Sequence, residues 1–172
     1  ASKGDHPVVC VDWCDAHAYC KAVGKRLCGK IGGGSIPKPN KADDAEVDQW
    51  YNFCSQHGTW IWPYGHDPYS GFPSGYGPTR CNGADYWKKW GGTPGTWEAK
   101  TGGIYGCTTH NSPYNGVYQM SGNVAEWIDK CDNQVCVIRG GSFMSPEPYM
   151  RCDVDVVLSG PSKDVGIRCC SP

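Results

Sequence analysis

The chain has 172 residues and a formal net charge of −1, enough length for one domain that buries roughly 70% of its unfolded surface. It contains no Lys/Arg block of the kind that tracks nucleic acid, and no apolar run near the roughly 18 residues of a membrane span. Twelve cysteines beside 24 Gly and 13 Pro point to an oxidising compartment and a loop-rich domain stapled by disulfides.

Zinc is the competing use of so many cysteines. Only Cys10-x3-Cys14 and Cys131-x4-Cys136 approach the paired spacing of a zinc site, and they lie far apart in the chain. Disulfides are therefore expected, and because twelve is even, all the cysteines can pair.

In chain order, Val8, Val9 and Val11 read as a short strand. Asp12 is a good N-cap for a helix over 13–23, with Ala16, Tyr19, Cys20 and Val23 on one face and Gly24 closing it. Residues 25–40 form a Gly/Pro loop. A second helix starts near Asp43 or Asp44 and ends by Gly58. Its Val47, Trp50, Tyr51 and Cys54 fall at i, i+3, i+4 and i+7, the spacing of one buried stripe.

Residues 59–116 show no convincing regular element but many aromatic rings. Most such rings fill the interior of a loop-rich fold. The remainder, with Trp62 and Tyr64 as candidates, offers a surface on which a sugar or peptide could stack.

The central strands are expected over 117–143. A strand at Val117, Tyr118 and Met120 is broken by Ser121-Gly122-Asn123, where Gly and Asn tolerate positive φ, and resumes at Val124. Glu126 stands between Ala125 and Trp127, and a carboxylate among apolar neighbours is paired, hydrogen-bonded or bound to a cation. A second strand, 137–139, runs into Gly140-Gly141, where a backbone can approach closely. A last strand pair or loop follows over 153–170.

These residues carry a resemblance. Tyr118-Gln119-Met120-Ser121-Gly122-Asn123-Val124-Ala125-Glu126-Trp127, Arg139-Gly140-Gly141-Ser142-Phe143 and Gly166-Ile167-Arg168-Cys169 occur in that order. His6-Pro7-Val8-Val9-Cys10-Val11-Asp12-Trp13, Ala18-Tyr19-Cys20 and Gly24-Lys25-Arg26-Leu27 precede them. Together they resemble the signature of the formylglycine-generating enzymes, or sulfatase-modifying factors.

The resemblance implies an irregular, loop-rich α+β variant of the C-type lectin fold over 1–172. Two helices would pack on a small antiparallel sheet. It also implies disulfides Cys20–Cys169 and Cys54–Cys152. Cys131 and Cys136, five residues apart, are read separately as a local clip, and the partners of the other cysteines stay open. The block with a Glu-Val-Thr-x-x-x-Tyr segment that begins family members is not found here. Either the chain is a processed or natural fragment of a longer protein, or it is a minimal version whose sheet is completed otherwise, for instance by another chain.

Catalytic members of the family oxidise a substrate cysteine to formylglycine with copper(I) held by two cysteines just after Gly-Gly-Ser. Here Ser145 stands at the first of those positions, and the next cysteine, Cys152, matches the structural disulfide partner. Copper is therefore not expected, since thioethers such as Met144 and Met150 alone would make a different site. The family's iron-binding branch needs a group of three histidines, and the five here are scattered.

Calcium is the cofactor the resemblance implies, held by Ser121, Gly122, Asn123, Val124 and Glu126. The alternative is that Asn123 and Glu126 tie loops together by hydrogen bonds. A second calcium position would fall near Asn82-Gly83. Related variable proteins use the residues between the two closing motifs as a binding face. That segment is 144–164 here, with Met144, Glu147 and Tyr149 as candidates, although it lacks the Asn-rich bias of such regions.

The expectation is an extracellular or cell-surface, calcium-stabilised binding or structural module for a protein or carbohydrate ligand, without catalysis. The alternatives are an oxidoreductase with a rearranged metal site, and a subunit of a surface or filament assembly.

Overall fold

The computed structural model describes residues 4–37, 43–67, 71, 75–96, 106–133 and 135–172. Asp12 begins helix α1 (Trp13–Ala22): its side chain accepts from Asp15 N while Asp15 reaches back to the Asp12 N–H, a reciprocal capping box. Ala16 and Cys20 are its buried residues. Tyr19 and Val23, expected on that buried face, are exposed instead. One stripe of the helix packs on the sheet, and these two border an open cleft.

Helix α2 (Gln49–Ser55) is shorter than expected because Asp48, not Asp43 or Asp44, is its cap, accepting from Tyr51 N. The Asp44 carboxylate instead binds Glu46 N and Val47 N and turns the chain before the helix. A third helix, α3 (Ala84–Trp90), lies where no element was expected.

The main sheet has the order β4-β3-β2-β5, from β2 (Ala125–Asp132), β3 (Val135–Arg139), β4 (Val156–Leu158) and β5 (Val165–Ile167). β5 runs parallel to β2, so the sheet is mixed rather than antiparallel. A two-stranded ribbon pairs β1 (Arg26–Leu27) with β6 (Cys169–Cys170). Val9 contributes one bridge, to Gly166. Residues 117–124 are bends and a lone bridge rather than a strand.

Both faces of β2 and β3 are buried, as their period of two allows. Trp127 and Ile138 join Ala16, Cys20 and Leu27 on one side; Ile128 and Val137 join Trp50, Tyr51 and Cys54 on the other. Burying one such side chain is worth roughly 1.5–3 kcal/mol. A third cluster holds Trp62, Tyr64, Tyr76 and Met150 around Cys81–Cys107.

Disulfides Cys20–Cys169, Cys54–Cys152 and Cys131–Cys136 form as expected, joined by Cys28–Cys170 and Cys81–Cys107. Cys10 and Cys14 are free and exposed, so not every cysteine pairs. Five disulfides point to an oxidising, extracellular compartment. No helix among the described residues is long and apolar enough to cross a membrane.

Candidate functional site

The segment from Tyr118 to Glu126 is folded against the turn after β3. Gly122 (φ 71°) donates to Gly140 O at 2.8 Å, and a Cβ on Gly122 would lie 2.3 Å from Asn82 O. A Cβ on Gly140 (φ 84°) would lie 2.5 Å from Met120 O. Only glycine permits this approach of two backbones. Asn123 sits at φ 66°; its N–H donates to Asn82 O at 2.7 Å, and its carbonyl accepts from Phe143 N at 3.0 Å.

The side chains then close into a hydrogen-bonded knot. Asn123 Oδ1 accepts from Asn82 Nδ2 at 3.2 Å, and Asn82 Oδ1 accepts from Trp87 Nε1 at 2.8 Å. Asn82 is thus bound on both ends of its carboxamide. Ser121 donates its hydroxyl to Met150 O at 2.6 Å.

Glu126 is the one carboxylate of the set. Its Oε2 accepts from Arg168 Nε at 2.7 Å and Trp50 Nε1 at 2.8 Å, while Oε1 lies 2.7 Å from Arg168 Nη2. Burial works against the Arg168 charge, but the Glu126 carboxylate overcomes it and raises the guanidinium pKa above its usual value. As arranged, the segment is an arginine clip. A calcium ion taking Glu126 would need Arg168 to release it, because the two cations would compete for the same oxygens.

Beside this clip lies a buried ionic cluster that sequence reasoning missed. Arg139 meets Asp48 at 2.8 Å and Asp155 at 2.6 Å, lies over the Trp50 ring, and shares Asp155 with Lys130. The Arg before Gly140-Gly141 was the available signal, but its partners come from distant segments.

After the Gly140-Gly141 turn, Ser145 faces hydroxyl and carboxylate neighbours. Its Oγ accepts from Ser142 N at 2.9 Å, and Ser142 Oγ donates to Asp164 Oδ2 at 2.7 Å. Cys152 is bonded to Cys54. Met144 and Tyr149 are each 50% exposed. Glu147, between them, is half-buried and donates its N–H to Asp85 Oδ2 at 3.1 Å.

Trp62 and Tyr64, the other surface candidates, are buried at 1% and 8% exposure. Trp62 packs against Tyr64 and Tyr76, with ring centroids 6.2 and 4.9 Å apart. They are core rings, and burial pushes the Tyr64 and Tyr76 phenols well above the usual tyrosine range.

A family model described as the sulfatase-modifying factor enzyme 1-like domain matches residues 1–171. Among solved structures, Treponema denticola variable protein 1 superposes with a TM-score of 0.62 at 18% identity, over 99% of this chain and 73% of its own. PvdO from Pseudomonas aeruginosa gives 0.55 at 20% identity, over 97% of this chain and 62% of its own. CarF gives 0.55 at 16% identity, over 96% and 67%. At these identities the likeness is one of fold. No curated protein sequence matches the chain.

Proposed function

Because the chain belongs to the sulfatase-modifying factor enzyme 1-like domain family, we propose that it is a branch of that family that binds rather than catalyses: a secreted or cell-surface module for a protein or carbohydrate ligand. The observation that carries the reading is the chemistry after Gly140-Gly141-Ser142. Ser145 presents a hydroxyl there, and Cys152 is committed to Cys54, so the segment offers no thiolate to copper(I). The half-exposed Met144 and Tyr149, flanking Glu147, supply the binding face of this proposal.

Calcium enters the proposal as a competitor of Arg168 for Glu126. A chelator that lowers the melting temperature by several degrees would support the ion. An unchanged melting temperature would leave the arginine clip as the whole of that site.

One observation favours a second reading, an oxidoreductase with a rearranged metal site: Cys10 and Cys14 are free, exposed and four residues apart. Copper(I) titration of the native protein, with a cysteine-containing peptide incubated under oxygen, separates the two. The module leaves the peptide mass unchanged. Stoichiometric copper uptake that disappears in Cys10→Ser/Cys14→Ser, together with peptide oxidation, would overturn the binding reading.

A further inference from the structure

A cleft of about 700 Å³ opens beside the Glu126–Arg168 pair; of the readings above only calcium touches it, through Asn123, Val124 and Glu126. Tyr19 and Val23 line it from α1 and its C-cap, and Tyr118 from the signature segment; they are 56%, 49% and 40% exposed. Three large apolar side chains left open around one concavity are the mark of a recognition site rather than scattered surface.

The polar groups of the cleft are held in place. Arg168 uses Nε and Nη2 on Glu126, and Nη2 also donates to Tyr118 O at 2.8 Å. Its Nη1 has no partner among the described residues, and the side chain is 27% exposed. The guanidinium is therefore fixed with one nitrogen to offer, and Lys25 adds an exposed ammonium to the same lining. Gln119 adopts a left-handed backbone (φ 57°), and its Oε1 is buried without a hydrogen-bond partner among the described residues. That oxygen has no exposed surface, so Gln119 shapes the wall of the cleft rather than offering it a polar atom.

We infer that this cleft binds the C-terminal residue of a peptide with an apolar side chain. The carboxylate meets Arg168 Nη1 and Lys25, and the side chain packs among Tyr19, Val23 and Tyr118. A phosphate would leave the three apolar side chains unused, and a neutral sugar would leave the two cations unused. The carboxylate of an apolar residue uses both. The cleft shares no lining residue with the Met144–Tyr149 face, so either site can fail without the other.

The probe is an acetylated tripeptide ending in phenylalanine, compared by calorimetry and amide NMR shifts with the same peptide as its C-terminal amide. Arg168 is unsuitable as the only variant, because removing it strips Glu126 of its partner. Tyr19→Ala and Lys25→Gln change exposed side chains instead. The acid is expected to bind at about 1 mM or tighter, and the amide about ten-fold more weakly. Each variant should weaken the acid several-fold while its melting curve stays that of the parent. Equal binding of acid and amide, no binding of either at about 10 mM, or unchanged affinity in both variants would overturn the proposal.

Discussion

Arg168 grips Glu126 through two contacts of 2.7 Å, joining the closing motif of the chain to its central one across a pair in which Glu126 is nearly inaccessible. Trp50 of α2 donates to the same carboxylate, so three distant segments meet on two oxygens. Removing Glu126 leaves the part-exposed Arg168 and the buried Trp50 N–H without their acceptor, a cost near the lower end of the about 3–5 kcal/mol of a fully buried pair. Glu126→Ala is expected to lose that much in urea unfolding. Trp50→Phe, which removes one hydrogen bond to a charged group but keeps a ring, should lose about 1.5–3 kcal/mol. A Glu126→Ala loss under about 1 kcal/mol would mean that Arg168 reaches solvent when its partner goes.

The signature glycines differ in what they must avoid. Gly24 (φ 71°) has nothing within 4 Å of a Cβ, so Gly24→Ala is expected to cost only the left-handed penalty, about 1–2 kcal/mol. Gly122→Ala adds a backbone clash at 2.3 Å to the same penalty, and should either fail to fold or lose well over about 3 kcal/mol. Circular dichroism melts of the two variants make the comparison. Equal losses would show that the 121–123 turn can move away from Asn82.

What could be read in the sequence was what is local or carried by a motif. Asp12 and Asp15 spell out a capping box, and Glu126 among apolar neighbours announced a partner. The partner itself was out of reach, because nothing local links Glu126 to Arg168 or Arg139 to Asp48. Helix α3 has no buried residue, so its Tyr86, Trp87 and Trp90 belong to no core stripe; the Trp87–Asn82 bond ties it, through Asn82 and Asn123, to the signature segment instead. The stripe on α1 showed which side chains share a face, not which of them a neighbour covers. Tyr19 and Val23 therefore passed for core. Trp62 and Tyr64 passed for surface for the converse reason: their partner Tyr76 belongs to a loop with no periodicity.

The two carboxylates on Arg139 titrate in opposite directions. Burial raises the Asp48 pKa, with Arg139 only partly offsetting it; at Asp155 burial is overcome by Arg139 and Lys130, and the pKa falls below 3.8. Stability from Asp155 is present above its unfolded pKa and is lost as pH falls through the lowered one. Stability from the Asp48 proton is present below its unfolded pKa and is lost as pH rises through the raised one. Asp155→Asn should therefore flatten the loss of stability on acidification, and Asp48→Asn should steepen it. Urea midpoints taken from neutral pH down through the carboxylate range test the pair. Shifts of the same sign in both variants would show that one partner dominates Arg139.

The five disulfides close loops of very different size, and the chain-entropy model ranks them. Cys20–Cys169 spans 149 residues and Cys131–Cys136 spans 5. Closing them is worth about 5 and about 2 kcal/mol respectively, because the unfolded chain loses more freedom in the longer loop. Replacing Cys20 and Cys169 together by Ala should therefore cost about 3 kcal/mol more than replacing Cys131 and Cys136. The comparison requires that the other bonds stay intact, so each variant is first alkylated without reduction and weighed. Native protein and both double variants should take up two labels, at Cys10 and Cys14. No labels on native protein would instead place a sixth disulfide across the start of α1, and would remove the soft pair on which the oxidoreductase reading rests. More than two in a variant would show that its remaining cysteines have reshuffled, and its stability could not be assigned to a single missing bond.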